Sequence, residues 1–256
     1  MKRITLITLG LSIAACSSSS KPTPEEYDDT AQAIASTTAT GSSGGTSSGG
    51  GDVASMADTV SLALGVAPSG ISLMGDGHFH GSRLGVDYDY LLTCKNVAGV
   101  AGVCGPTTDQ ATVSVAWSGN LTSTNVDASV TRNGNWTITG LQSDTATFAG
   151  DSSFSFDATL RSIFRPGVTA TYSFDASASY NAVRIATKDR KVIDGSASFD
   201  LTAHHTVTGA GKDNVNASFE VSAAITFHAD HTAALVLDGT QHYSIDLTTG
   251  IVVRVN

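Results

Sequence analysis

Over much of the chain, apolar and polar residues alternate one by one. Phe154, Phe156, Ala158 and Leu160 take turns with Ser153, Ser155, Asp157 and Thr159. Ala170, Tyr172, Phe174 and Ala176 do the same against Thr171, Ser173 and Asp175, and Ala197, Phe199, Leu201 and Ala203 against Ser198, Asp200 and Thr202. A longer run, Val215, Ala217, Phe219, Val221, Ala223, Ile225 and Phe227, follows the same rule. A repeat of two puts successive side chains on opposite faces of an extended chain, so each segment predicts a strand with one dry and one wet face.

Residues that tolerate tight or left-handed backbone punctuate the pattern: Asn133-Gly134, Pro166-Gly167, Asp194-Gly195, Gly209-Ala210-Gly211, Asp238-Gly239 and Thr249-Gly250. Short connections force antiparallel neighbours. The expectation is an antiparallel meander of about ten strands from near His78 onward. Its last hairpin would pair Tyr243, Ile245 and Leu247 with Ile251, Val253 and Val255.

One stretch before the strands has a helical period. Val53, Met56, Ala57, Val60 and Leu64 share a face, Asp52 can cap the start, and Gly65 followed by Pro68 closes the end. A large sheet with one apolar face has to curl, pair with a second sheet or be covered. The reading is therefore mainly β: a curved sheet or incomplete barrel of long antiparallel strands, with one short N-terminal helix as cover. A membrane-spanning barrel would need lipid-facing bulk and aromatic girdles, whereas this dry face is rich in Ala.

The N-terminus carries a different signal. Lys2 and Arg3 precede an apolar run from Ile4 to Ala15, too short for a permanent membrane helix and ending Ile13-Ala14-Ala15-Cys16. That ending resembles the lipobox of bacterial lipoproteins: a branched apolar residue, two small ones, then the cysteine that takes the lipid. The resemblance covers about the first sixteen residues. It implies a signal peptide at 1–15, lipidation of Cys16 (diacylglyceryl and a further acyl chain, such as palmitate) and, because Ser17 rather than Asp follows, sorting to the outer membrane. Whether the domain faces the periplasm or the outside stays open.

From Ser17 to about Gly51 the residues are mostly Ser, Thr, Gly, Pro and acid. Residues 16–51 read as a lipidated, disordered tether with a root-mean-square reach of about 30 Å, and 52–256 as the β domain. Once Cys16 is acylated, Cys94 and Cys104 remain as a pair flanking a small-residue loop, which in an oxidising compartment predicts a structural disulfide. With Lys2 and Arg3 removed, 12 of the 14 basic side chains face 23 acidic ones, a formal charge of −11. Such a balance argues against nucleic acid as a partner.

Few residues suggest chemistry. His78 and His80 share a face of an extended segment, a minimal metal-ligand pair, but no HExxH or CxxC accompanies them. His228, His231 and His242 fall near the C-terminal hairpins, and His204 and His205 point to opposite faces. In Asp87-Tyr88-Asp89-Tyr90 the two carboxylates share one face and the two phenols the other. The sequon Asn120-Leu121-Thr122 carries little weight, Trp117 and Trp136 fit strand positions, and no serine motif or phosphate-binding loop is present. The sequence thus assigns no catalytic residue, no metal site and no cofactor, and it points away from an enzyme. Two readings remain: an envelope lipoprotein whose β domain binds an apolar ligand or lipid, or a structural or surface-interaction lipoprotein that meets another envelope protein or macromolecule. The partners expected are the membrane, through the lipid anchor, and one of these.

Overall fold

The computed structural model describes residues 21–39, 51–83, 85–122, 125–164, 167–208 and 215–255. Cys16, the segment 1–15, residues 40–50 and the Gly209-Ala210-Gly211 turn lie outside these.

The alternation becomes one sheet. In chain order its strands are β1 (Ile71–Gly75), β2 (His78–Arg83), β3 (Val86–Asn96), β4 (Ala101–Gly102), β5 (Thr108–Thr122), β6 (Val126–Thr139) and β7 (Thr145–Arg161). They continue with β8 (Thr169–Ala186), β9 (Val192–Thr208), β10 (Val215–Phe227), β11 (Thr232–Leu237), β12 (Gln241–Asp246) and β13 (Val252–Arg254). Neighbours in sequence are neighbours in space and antiparallel throughout; only β4 stands aside, pairing with β3. Among the described residues the sheet has thirteen strands, curves strongly and stays unclosed, with β1 and β13 at its ends. The mainly β, curved-sheet architecture is the one the alternation predicts.

Inner and outer faces follow the sequence residue by residue. Phe154, Phe156, Phe174, Phe199, Phe219 and Phe227 are buried on the concave side, and the Ser, Thr and Asp between them are exposed. Rings such as Phe154 and Phe199, 6.3 Å between centroids, pack edge to face.

Two expected turns run inside strands instead. Asn133-Gly134 sits mid-β6, where a Cβ on Gly134 would stand 2.8 Å from Trp136 Nε1, so this glycine makes room for an indole. Asp194-Gly195 lies in β9, where φ is +114° at Gly195 and a Cβ would come within 2.4 Å of Val183 Cα. Close strand approach and a β8 bulge near Asn181 and Arg184 explain that glycine, and bulges sharpen the bend of a sheet. The last hairpin is shifted by one residue from expectation. Val252 pairs with Ile245 and Arg254 with Tyr243, which turns Ile251, Val253 and Val255 outward, each at least half exposed.

There are two helices among the described residues, not one. The second, α2 (Asp52–Ala63), is the expected helix; its N-cap is Gly51, so Asp52 is inside the helix and its carboxylate is used elsewhere. The first, α1 (Pro24–Thr38), occupies the stretch read as disordered tether. Thr23 and Glu26 form a capping box around Pro24, and Ala31, Ile34 and Ala35 are buried. The folded body therefore begins near Thr23 rather than Asp52, and only seven positions separate Thr23 from Cys16, at most about 25 Å of extended chain.

Cys94 and Cys104 are joined, with their Cα atoms 5.2 Å apart, and the bridge staples the β3–β4 hairpin beside the end of α2. Replacing both with serine should lower stability by about 3 kcal/mol, visible as an earlier urea midpoint. An unchanged midpoint would mean that the hairpin frays without consequence.

Candidate functional site

Both helices lie in the concavity of the sheet, so the apolar surface that could have held a ligand holds the chain itself. Their attachment combines apolar packing with a set of polar contacts. From α1, the Asp28 carboxylate accepts from Tyr243 Oη at 2.9 Å and Arg254 Nε at 3.1 Å, and Asp29 accepts from Tyr172 Oη at 3.0 Å. Glu26 Oε1 lies 3.3 Å from His205 Nε2, and Gln32 Nε2 donates to the carbonyls of Asn125 and Arg161 at 3.1 and 3.2 Å.

From α2, the Asp58 carboxylate takes Arg83 Nη2 at 2.6 Å, while Asp52 meets Arg132 Nη2 at 2.9 Å and accepts from the Tyr180 hydroxyl. Arg132 also donates to Ser152 Oγ at 2.7 Å. Asp52 and Arg132 are fully buried, and burial pushes the Asp52 carboxyl above its usual range against the opposing pull of Arg132 and Tyr180. Burial likewise holds the Tyr180 phenol well above its ordinary value. These groups specify where the helices sit.

The outer face offers the contrasting surface. A groove of about 720 Å³ runs across β6 to β10, a volume within the range of about 300–1,000 Å³ usual for ligand sites. Strand register builds its lining. One row crosses the sheet as Thr131, Ser155, Asp175, Thr202 and Glu220; the next, two residues along, as Asn133, Ser153, Ser177, Asp200 and Ser222. Asp238 closes one side from the β11–β12 turn, accepting from Ser222 N–H at 2.8 Å and from Tyr27 Oη of α1 at 2.7 Å. The groove rim is thereby tied to the helix inside.

The residues singled out by sequence reasoning fall elsewhere. His78 and His80 do share a face, where Asp89 lies 2.8 Å from His78 Nε2 and 3.5 Å from His80 Nδ1. All three are half exposed, and among the described residues no group of three or more His, Cys, Asp or Glu converges as a metal site. Tyr88 and Tyr90 are buried opposite Asp87 and Asp89, as alternation requires. His205 is buried against Tyr172 and His204 faces out to Ser218. His242 pairs with Val236 on β11, four positions from Thr232, away from His228 and His231.

Sequence reasoning missed both the helix-fastening network and the groove. The capping box Thr23-Pro24-Glu25-Glu26 was the available signal for α1; the groove had none, because it arises from cross-strand register. Comparison with protein-family models, curated proteins and solved structures gives no match. What can be defined is a class by shape: an unclosed β-barrel filled by its own N-terminal helices.

Proposed function

We propose that this chain is a non-catalytic, lipid-anchored cell-envelope protein whose β domain is an interaction module, binding a macromolecular partner on its polar outer face. The observation that carries this reading is the occupancy of the concave face by α1 and α2, while a groove over β6–β10 is accessible on the outer face. The outward Ser, Thr and Asp of these strands suit contact with water and polar partners, not acyl chains. Anchorage through Cys16 completes the picture, and the short link to Thr23 would hold the domain within about 25 Å of its membrane. Binding of an apolar molecule in the concavity would require both helices to leave.

The test uses the full mature chain purified in mild detergent from its host. Native mass spectrometry should show the acylated protein with no further apolar mass, and the protein should co-sediment with insoluble cell-wall polymer of the host. A stoichiometric extractable lipid beyond the anchor would overturn the reading in favour of a carrier. Retention of Cys16→Ala in the membrane fraction would overturn the anchor.

A further inference from the structure

We propose that the β3–β4 hairpin is a membrane-dipping loop, which seats its valines among the acyl chains of a lipid bilayer of no net charge. The proposal goes beyond the interaction-module reading and does not depend on it. From Asn96 to Thr108 the chain carries no charged residue. Three valines crown this stretch, Val97 at 75%, Val100 at 60% and Val103 at 93% exposure. One exposed valine needs no explanation, but three on one hairpin, with Ala98 and Ala101 exposed between them, form an apolar cap.

The backbone beneath the cap suits a dry medium. Asn96 Oδ1 accepts from the N–H groups of Ala98 and Val100 at 3.0 and 3.1 Å. The Asn96 carbonyl accepts from Gly99 N–H at 2.8 Å, and the Val100 carbonyl from Asn96 N–H at 3.0 Å. One asparagine thus bonds the turn from within, which lowers the cost of taking its backbone out of water. The Cys94–Cys104 bridge closes the base of the hairpin, and Gly65 at the end of α2 packs so closely on it that a Cβ there would stand 3.0 Å from Gly105 Cα. A loop held in this way has little freedom left to lose on insertion.

The side chains favour hydrocarbon over a protein partner. Binding hot spots between proteins draw on Trp, Tyr and Arg, and valine is under-represented in them. From Val97 to Val103 the hairpin holds only Val, Ala and Gly, with no ring and no side-chain donor. Charge then selects the leaflet. A chain with 23 acidic and 14 basic residues is repelled by anionic headgroups, so a zwitterionic surface is the better match. Lys95, exposed at the base of the hairpin, can lay its stem along the cap and keep its ammonium among the headgroup phosphates.

Flotation with phosphatidylcholine vesicles tests this on the full mature chain carrying Cys16→Ala, so that no acyl anchor contributes. The chain should float with the vesicles, and its partition coefficient should change less than about twofold between low and high salt. Val97→Asp combined with Val103→Asp, at two exposed positions where the thermal melt should not change, should lower that coefficient at least about tenfold, because carboxylates resist entry into hydrocarbon. Val103→Trp gives a local reporter, since Trp117 and Trp136 are buried. Its emission should shift to the blue on adding vesicles and be quenched by brominated acyl chains. Failure to float, loss of binding in high salt, binding that survives the double variant or an unshifted emission overturns the proposal. A dimer that forms without vesicles and disappears in the double variant would also overturn it, in favour of a second copy as the occupant.

Discussion

Replacing Arg132 with methionine should destabilise the protein by about 3–5 kcal/mol, because it leaves the Asp52 carboxylate buried in the barrel without its cation. Urea unfolding followed by tryptophan fluorescence reads this directly. Replacing both partners, Asp52→Ala with Arg132→Met, should recover most of the loss, since no stranded charge then remains.

The pH dependence has a defined sign. Burial raises the Asp52 carboxyl above its ordinary value. A group whose pKa is higher in the folded than in the unfolded state stabilises the fold at low pH and loses that contribution as pH rises through the folded value. Arg132 opposes that rise, so without its guanidinium the Asp52 carboxyl is pushed further up and the deficit of the single variant should shrink on acidification. A deficit independent of pH, or a double variant as unstable as the single one, would show that packing and not charge holds α2 in place.

The second large effect concerns α1. Ile34→Ala should cost about 2–5 kcal/mol, the range for truncating a fully buried aliphatic side chain. A residue in a disordered tether would cost nothing, so this one measurement separates a body that begins near Thr23 from one that begins at Asp52.

The contrast between these elements shows what the chain reveals about itself. The strands were legible because their burial is apolar: Phe174 inward and Asp175 outward is a pattern that alternation exposes directly. The helix α1 was hidden because much of its burial is polar. Glu26, Asp28 and Asp29 look like solvated tether, yet they are buried, and there they meet Tyr172, His205, Tyr243 and Arg254 from strands over a hundred residues away. No local property encodes such partners. The hairpin register failed for a related reason: the apolar residues Ile251, Val253 and Val255 outnumber their neighbours Val252 and Arg254, but turn geometry at Asp246–Ile251 decides which set faces inward. The disulfide pair was legible from the count of cysteines and the small-residue loop they flank, and among the described residues the candidate histidines are not assembled by the fold into a metal site.

The topology also sets an order of events. Apart from β5, which pairs with β3 past the short β4, each strand pairs with the one made just before it, so the sheet can grow as the chain emerges. The helix α1 is different: Tyr27 is joined to Asp238 across 211 positions and Asp28 to Tyr243 across 215. Of the described elements, the one synthesised first is thus among the last to be seated. Until the C-terminal strands arrive, its acidic face must wait in water and the growing concavity stays open, a window in which a chaperone would have something to hold.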